Sequence, residues 1–256
     1  AIGVACACAT VGMVVGMGTL TGLALKIAGA IVAMAEVSPD GSLAALGASL
    51  FSLAPGAEVT AETAALALTK IFTLFFTMIA SLILGMGLPT TANFIVTSTM
   101  AAPALFLLGV PPMAAYMFVF YFGIAADLTP PVALAAYAGA GIAGSDPMKT
   151  GVTSFKLALA GFLVPYIYVY NPMLLFIDVE PFYMAQAICT ALIGVFLLAM
   201  FTIGYFKAHL AWYMRALAFV GAICLLIPGT MSDLFGLAVL GVIYVMQTAK
   251  AKRLAA

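Results

Sequence analysis

Long apolar runs without a charged residue constrain this chain more than any other feature. Segments 157–176 and 182–206 contain no Asp, Glu, Lys or Arg, and a helix that crosses a bilayer needs about 20 residues. Strands of a membrane barrel would instead alternate apolar and polar residues in segments of about ten. Charged residues make up 7% of the chain and hydrophobic residues 66%, against about 25% and about 45–50% in soluble domains. The sequence therefore predicts an all-α integral membrane protein and excludes a soluble globular enzyme.

Charge balance and cysteine spacing exclude several kinds of binding site. Nine Lys and Arg residues balance nine Asp and Glu residues, so no basic surface for nucleic acid is predicted. The sequence contains no catalytic triad, phosphate-binding loop or haem motif, and the cysteines lack the spacing of a common zinc site. We expect no cofactor and no enzymatic activity. The cysteines, which lie in apolar stretches, are expected to be small buried hydrophobic residues: Cys6, Cys8, Cys189 and Cys224.

The few charges predict which segments face which side of the membrane. Lys and Arg are concentrated in 146–156, 207–215 and 250–256, and cytoplasmic loops carry the excess of basic residues. We therefore place these three segments in the cytoplasm, and we place 36–62 and 171–182 in the periplasm.

This sidedness predicts four regions along the chain. One transmembrane helix is expected within 1–35, interrupted elements in 63–147, and further transmembrane helices in 148–256. Residues 36–62 are predicted to form an exposed periplasmic loop. All charges of that loop are acidic: Glu36, Asp40, Glu58 and Glu62.

Two interrupted elements are predicted inside 63–147. Segment 63–108 starts and ends outside, so it must be a re-entrant hairpin, with Gly-Met-Gly-Leu-Pro-Thr-Thr-Ala-Asn at its tip (85–93). Irregular backbone at membrane depth survives only where protein buries it or where it lines an aqueous cavity. Segment 113–144 is broken at Ala-Asp-Leu-Thr-Pro-Pro, because each proline removes a backbone donor. The later segment 216–249 reads either as two short spans or as a second shallow hairpin.

The two breaks are the candidate binding sites. Carbonyls at the end of a half-helix favour a cation, and free N–H groups at the start of the next favour an anion. Secondary transporters use this arrangement for coupling ion and substrate. The candidate residues for cation or substrate are Gly85, Met86, Gly87, Pro89, Thr90, Thr91, Asn93, Ala126, Asp127, Thr129 and Pro130. The Na⁺ ligands expected among them are Gly85, Thr90, Thr91, Asp127 and Thr129.

Several roles stay open for these polar residues. Thr and Asn side chains at the tip could merely satisfy the freed backbone, although Asn93 and Thr97 lie on one helical face and can line one cavity. Asp127 is an acid in an otherwise apolar neighbourhood, which marks a functional candidate. It could ligate a cation, carry a proton or cap a half-helix that begins near Thr129.

Four longer motifs resemble one known family. They are GMGLPTTANFIVTSTMAAPAL (85–105), GVPPMAAYMFVFYFGIAADLTPPVALAAYAGAGIAGSDP (109–147), FLVPYIYVYNPMLL (162–175) and IPGTMSDLFGLAVL (227–240). Together they resemble the permeases of TRAP transporters, and most closely the fused permeases that work with TAXI-type binding proteins. The likeness covers most of 60–245.

The resemblance implies a fold and a function. It implies an elevator-type importer built from two inverted repeats, in the cytoplasmic membrane of a bacterium or archaeon. A Na⁺ gradient would drive uptake of an organic acid delivered by a periplasmic TAXI-type solute-binding protein. The strings LPTTAN (88–93) and DLTPP (127–131) match the family's cation and substrate segments. Each break motif occurs once, so the resemblance implies the C-terminal half of the transport unit, with half of a transport domain in 63–147 and scaffold and C-terminal transmembrane helices in 148–256. The remaining N-terminal part of the permease and the lipid membrane are the expected partners.

Alternative functions remain beside this one. At position 127 the family more often carries a small or apolar residue, so H⁺ coupling through Asp127 is an alternative to Na⁺. A membrane-embedded enzyme using Asp127 as an acid lacks a second catalytic group nearby. A passive channel would need repeated carbonyl rings or a polar stripe through one helix, and neither is recognised in the sequence.

Overall fold

The chain is helical throughout the part that the structure describes. A computed structural model describes residues 9–255 except 11, 14, 15, 19, 52–59, 178, 179 and 227–229. In this described part the helices are joined by turns, and the only strand-like pairing is a single bridge between Tyr205 and His209. The predicted all-α class is confirmed. The predictions for Cys6, Cys8 and Glu58 fall outside the described residues.

Two compact units, Ala1–Asp127 and Leu128–Ala256, make up the chain. Their division falls inside the broken segment 113–144, whereas the sequence suggested a boundary at residue 147.

The first unit is built around one long helix. Its elements are α1 (Leu23–Ala35), α2 (Ser42–Phe51), α3 (Ala61–Gly85), α4 (Thr90–Met100), α5 (Ala102–Phe106) and α6 (Pro112–Ala125), followed by a 3-10 turn at Ala126–Leu128. The helix α3 starts where the hydroxyl of Thr60 accepts a hydrogen bond from the backbone N–H of Thr63 at 3.3 Å. Such a cap satisfies a helix-end donor that has no partner within the helix.

Helix α3 packs against α1, α2, α4 and α6. On α6, Phe118 and Phe122 are fully buried, and their rings meet edge to face with centroids 4.9 Å apart. On α1, Ala28 and Ile31 pack against Ala104. This apolar packing fixes the positions of the C-terminal ends of α3 and α6, where the candidate site lies.

The second unit contains a further set of helices. They are α7 (Leu134–Ala143), α8 (Pro147–Ala158), α9 (Val164–Tyr170), α10 (Pro181–Ile203), α11 (Trp212–Leu226) and α12 (Thr230–Ala255), with 3-10 turns at Gly161–Leu163 and Pro172–Leu175. Asp146 caps α8, because its carboxylate accepts a hydrogen bond from the N–H of Lys149 at 2.8 Å.

Helices α10, α11 and α12 form a bundle in this second unit. Arg215 secures the end of α10, because its Nε donates to the carbonyl of Phe201 at 2.9 Å. Gly204 then terminates the helix with a φ of 72°, a left-handed conformation that glycine adopts without strain. The core of the bundle is apolar and includes Leu197, Ala218, Ala222, Val239 and Ile243.

Several helices are long and apolar enough to cross a membrane. Among the described residues these are Ala61–Gly85, Pro181–Ile203 and Ser232–Ala249. The pair Pro147–Ala158 and Gly161–Tyr170 passes the same criterion together but is bent by 49°. The chain is therefore a multi-pass membrane protein, and segment 216–249 holds one full-length span beside the shorter apolar α11.

Three segments differ from their sequence-based predictions. The helix expected within 1–35 is interrupted at Gly22, whose φ of 65° is left-handed. The span expected at 157–176 instead begins at Pro147 and bends after Ala158. Cys189, expected to be buried, is exposed, and Cys224 is half-buried.

The loop expected at 36–62 contains the helix α2. Its sequence is apolar, and it packs against α3. Ala44 is fully buried, and a Cβ on Gly47 would lie 2.7 Å from Cδ1 of Leu68. The acids and turn residues on either side suggested a loop, but this short apolar run gains more from burial than from exposure. Glu36 and Asp40 are exposed, as predicted.

Candidate functional site

The hairpin tip is a short turn between α3 and α4. Helix α3 ends at Gly85, and the N–H of Met86 still bonds to the carbonyl of Ile83 at 3.3 Å. Gly87 follows with a φ of 73°, a conformation that a side chain would strain. Pro89 is the N-cap residue of α4. Glycine and proline at these positions explain why the backbone breaks at the tip.

Asn93 is buried behind the tip, in the first turn of α4. Its side chain is 3% exposed. A Cβ on Gly85 would lie 2.9 Å from Asn93 Nδ2, and a Cβ on Gly123 would lie 2.5 Å from Asn93 Oδ1. The amide is therefore wedged between two glycines. No donor in the described part of the chain reaches Asn93 Oδ1. A buried acceptor without a partner costs about 1–3 kcal/mol, so this oxygen is available to a ligand.

Two helix C-termini meet beside Asn93. Helix α3 ends at Gly85 and α6 at Ala125, and a Cβ on Gly85 would lie 2.5 Å from the carbonyl oxygen of Gly123. Each C-terminus carries roughly half a negative charge. The electrostatic field here favours a cation, and the Gly123 carbonyl oxygen and Asn93 Oδ1 lie at this point, oxygen being the ligand that hard cations prefer. The start of α4 at Thr90 supplies free N–H groups that favour an anion.

A stripe of buried hydroxyls on α3 leads to this point. Thr73, Thr77 and Ser81 are fully buried, and they lie four residues apart, on the same face as Gly85. The hydroxyl of Thr73 donates to the carbonyl of Thr69 at 2.8 Å. Those of Thr77 and Ser81 have no hydrogen-bond partner in the described part of the chain. Ser81 is one turn from Gly85, about 6 Å along the axis.

The sequence interpretation missed this stripe, although its four-residue spacing of hydroxyls is readable. It had found no polar stripe through a helix, and that statement was wrong. Buried waters in proteins bond to polar groups that otherwise lack a partner, and the hydroxyls of Thr77 and Ser81 are such groups. Ser81 therefore joins Asn93 as a candidate ligand.

The second break follows α6. A 3-10 turn at Ala126–Leu128 succeeds the helix, and the chain becomes helical again at Leu134, with Ala133 as its N-cap residue. Helices α6 and α7 therefore precede and follow the break in the chain. Asp127 is half-buried and lies six residues before the N-cap, so the suggestion that it caps a half-helix beginning near Thr129 was wrong.

The structure brings some predicted site residues together and separates others. Gly85 and Asn93 are buried beside each other, and Gly123, which the sequence interpretation did not single out, completes the contact. Thr90 and Thr91 are exposed on the first turn of α4. Thr97 is fully buried, and its hydroxyl donates to the carbonyl of Asn93 at 2.9 Å.

The remaining predicted residues lie around the two breaks. In the first unit, Met86 is half-buried, Gly87 and Pro89 are exposed, and Ala126 is fully buried. Thr129 and Pro130 belong to the second unit. The sequence interpretation places one Na⁺ at the tip and a site at the DLTPP break, and both sites stay predictions.

Comparison with known proteins gives one family match. The family described as "Tripartite ATP-independent periplasmic transporter, DctM component" matches residues 1–183. No curated protein and no solved structure matches the chain.

Proposed function

We propose that this chain imports an organic acid and that an inward flow of Na⁺ drives the uptake. The chain belongs to the family of the DctM component of tripartite ATP-independent periplasmic transporters. Members of this family are permeases of secondary transporters, not enzymes. The large component normally works with a periplasmic binding protein and a small membrane component. The substrate class, the coupling ion and a TAXI-type partner are parts of the proposal.

The observation that carries the proposal is the unpaired Oδ1 of Asn93 between two helix C-termini. Buried oxygen at this point, with the carbonyls around Gly85, supports binding of a dehydrated monovalent cation. The hydroxyl stripe ends at this tip, which suits an ion site better than the lining of a pore. Secondary transporters place coupling ions at such broken helices.

Substrate binding is proposed on the open side of the tip. Thr90 and Thr91 are exposed there, next to helix N–H groups that favour an anion such as a carboxylate. The two hydroxyls can contact the substrate or complete the coordination of Na⁺. Asp127 is proposed as a Na⁺ ligand, and its role as a proton carrier is the alternative.

Asp127→Asn distinguishes the two coupling ions. We expect the variant to need a higher Na⁺ concentration for half-maximal uptake at every pH, because it loses a charged oxygen ligand. Thr90→Val and Thr91→Val should raise that concentration as well. Uptake is measured in proteoliposomes with the assembled transporter, its binding protein and a panel of radiolabelled mono- and dicarboxylic acids.

The same assay can overturn the proposal. Loss of pH dependence in Asp127→Asn, with Na⁺ dependence intact, would identify a proton carrier. Uptake that only equilibrates the substrate and ignores both ion gradients would indicate a passive channel. Unchanged ion dependence in all three variants would remove these residues from the site.

The acidic segment 36–62 is proposed as part of the docking surface for the binding protein, on the periplasmic side. We expect Ser42→Cys to react with a membrane-impermeant maleimide added outside, because Ser42 is exposed at the start of α2. Ser145→Cys, exposed between α7 and α8 and close in sequence to Lys149, is the matched variant and should react only from the cytoplasmic side. Labelling of Ser42→Cys only from the cytoplasmic side would contradict the predicted topology, which places 36–62 in the periplasm.

A further inference from the structure

A buried carboxylate lies in the second unit, where the transport proposal assigns no role. Asp233, near the start of α12, is 8% exposed. Gln186 on α10 donates a hydrogen bond from Nε2 to Asp233 Oδ2 at 2.8 Å. The other oxygen, Oδ1, is buried and has no hydrogen-bond partner in the described part of the chain. One neutral amide is thus the polar contact seen for this acid.

No charged group of the neighbouring helices forms an ion pair with Asp233 in the described part of the chain. On α10 and just before it, Glu180, Tyr183 and Cys189 are exposed. On α11, Cys224 is half-buried, and Arg215 is nine residues further back, about 13 Å along the axis. The guanidinium of Arg215 is bonded to carbonyls at the end of α10. The basic residues of α12 itself, at 250–253, lie more than four turns from Asp233.

A buried carboxylate needs a compensating positive charge. Removing an ionised carboxylate from water costs several kcal/mol even after relaxation, and one neutral hydrogen bond offsets only part of that. The start of α12 contributes about half a positive charge. This half charge is smaller than the full negative charge of the carboxylate. Oδ1 still lacks a hydrogen-bond partner in the described part of the chain.

We propose that Asp233 binds a monovalent cation, H⁺ or Na⁺, between α10 and α12. Gln186 holds Oδ2 and leaves Oδ1 free for the ion. Thr190, one turn further along the same face of α10, is 9% exposed and can add a hydroxyl oxygen. A single carboxylate suits one positive charge, and the described residues contain no cluster of three or more His, Cys, Asp or Glu side chains that would hold a more highly charged metal.

This cation site is independent of the one at the hairpin tip. Its residues all belong to the second unit, whereas Asn93, Gly85 and Gly123 belong to the first. Occupancy should hold α10 and α12 together, since an uncompensated carboxylate favours their separation, and α11 packs against both helices. Cys224, half-buried on α11, reports locally on that packing.

The test measures the rate at which a maleimide labels Cys224 in the assembled permease, with Cys6, Cys8 and Cys189 replaced by alanine. We expect Na⁺ in place of choline at alkaline pH, or acid in the absence of Na⁺, to slow labelling several-fold. Asp233→Asn should label slowly under all conditions, because its side chain carries no charge. At each pH, the labelling rate of the wild type is divided by that of Asp233→Asn. This ratio removes the pH dependence of the Cys224 thiol itself.

Protection by acid alone identifies the ion as H⁺, and protection by Na⁺ at fixed alkaline pH identifies it as Na⁺. A labelling rate that neither ion changes, or that changes equally in Asp233→Asn, overturns the proposal. The matched control is Glu180→Gln, which removes an exposed acid beside the same helix and should respond as wild type. If Asp233→Asn does not fold, Gln186→Leu is used instead. Loss of the amide contact to Asp233 should shift the ion concentration that gives half-maximal protection of Cys224. An unchanged concentration for half-maximal protection overturns the proposal.

Discussion

Replacing Gly85 or Gly123 by alanine should lower the melting temperature of the permease by roughly 5 °C and abolish its Na⁺ binding. A Cβ on Gly85 would lie 2.5 Å from the Gly123 carbonyl oxygen, and one on Gly123 would lie 2.5 Å from Asn93 Oδ1. Both contacts involve backbone or a wedged amide, so the helices must move apart. Overpacking of this kind costs about 1–3 kcal/mol, and about 1 kcal/mol shifts the melting temperature by about 2–4 °C in a chain of this size.

Gly29→Ala is the matched control for these variants. Gly29 is also helical, in α1 of the same unit, but a Cβ there would have nothing within 4 Å. Alanine is favoured over glycine inside a helix by about 1 kcal/mol, so this variant should be as stable as wild type or more stable. Thermal unfolding of the purified protein gives the melting temperatures of the three glycine variants and of the wild type. Equal melting temperatures would show that the helices do not meet closely at Gly85 and Gly123.

Local chemistry made the two breaks predictable from sequence. Glycine at 85 and 87 and proline at 89 end one helix and start the next, and Pro130 and Pro131 interrupt the other. These residues act through their own backbone geometry, which needs no knowledge of neighbours. In the structure the chain leaves the helix after Gly85, and non-helical residues separate Leu128 from Leu134.

The features that depend on distant residues could not be predicted in the same way. The approach of Gly123 to Gly85 requires that α3 and α6 pack together, and no local pattern specifies that contact. Whether Asn93 Oδ1 finds a partner is likewise decided by three separate elements. The acids and turn residues around α2 suggested a loop. The burial of α2 against α3 involves Leu68, a residue outside the segment.

Thr77 and Ser81 are a different case. Their spacing with Thr73 and Gly85 predicts a common helical face from sequence alone. What the sequence does not contain is the burial of that face, which turns an ordinary set of hydroxyls into unpaired ones.

Asn93→Leu should weaken Na⁺ binding by about ten- to a hundredfold. Leucine has a similar volume but supplies no oxygen, so the cation loses one ligand while the surrounding helices stay packed. A polar contact to a charged group contributes about 1.5–3 kcal/mol, and about 1.4 kcal/mol corresponds to a tenfold change in affinity. Asn93→Asp retains an oxygen at the same position and should retain Na⁺ binding. Asn171→Leu, in a loop of the second unit, should behave as wild type.

The most direct measurement is equilibrium binding of radioactive Na⁺ to the purified permease, with displacement by unlabelled Na⁺. The account predicts saturable binding in wild type, a dissociation constant raised at least tenfold in Asn93→Leu, and little change in Asn93→Asp and Asn171→Leu. If Asn93→Leu binds Na⁺ as tightly as wild type, the amide between Gly85 and Gly123 does not hold the coupling ion.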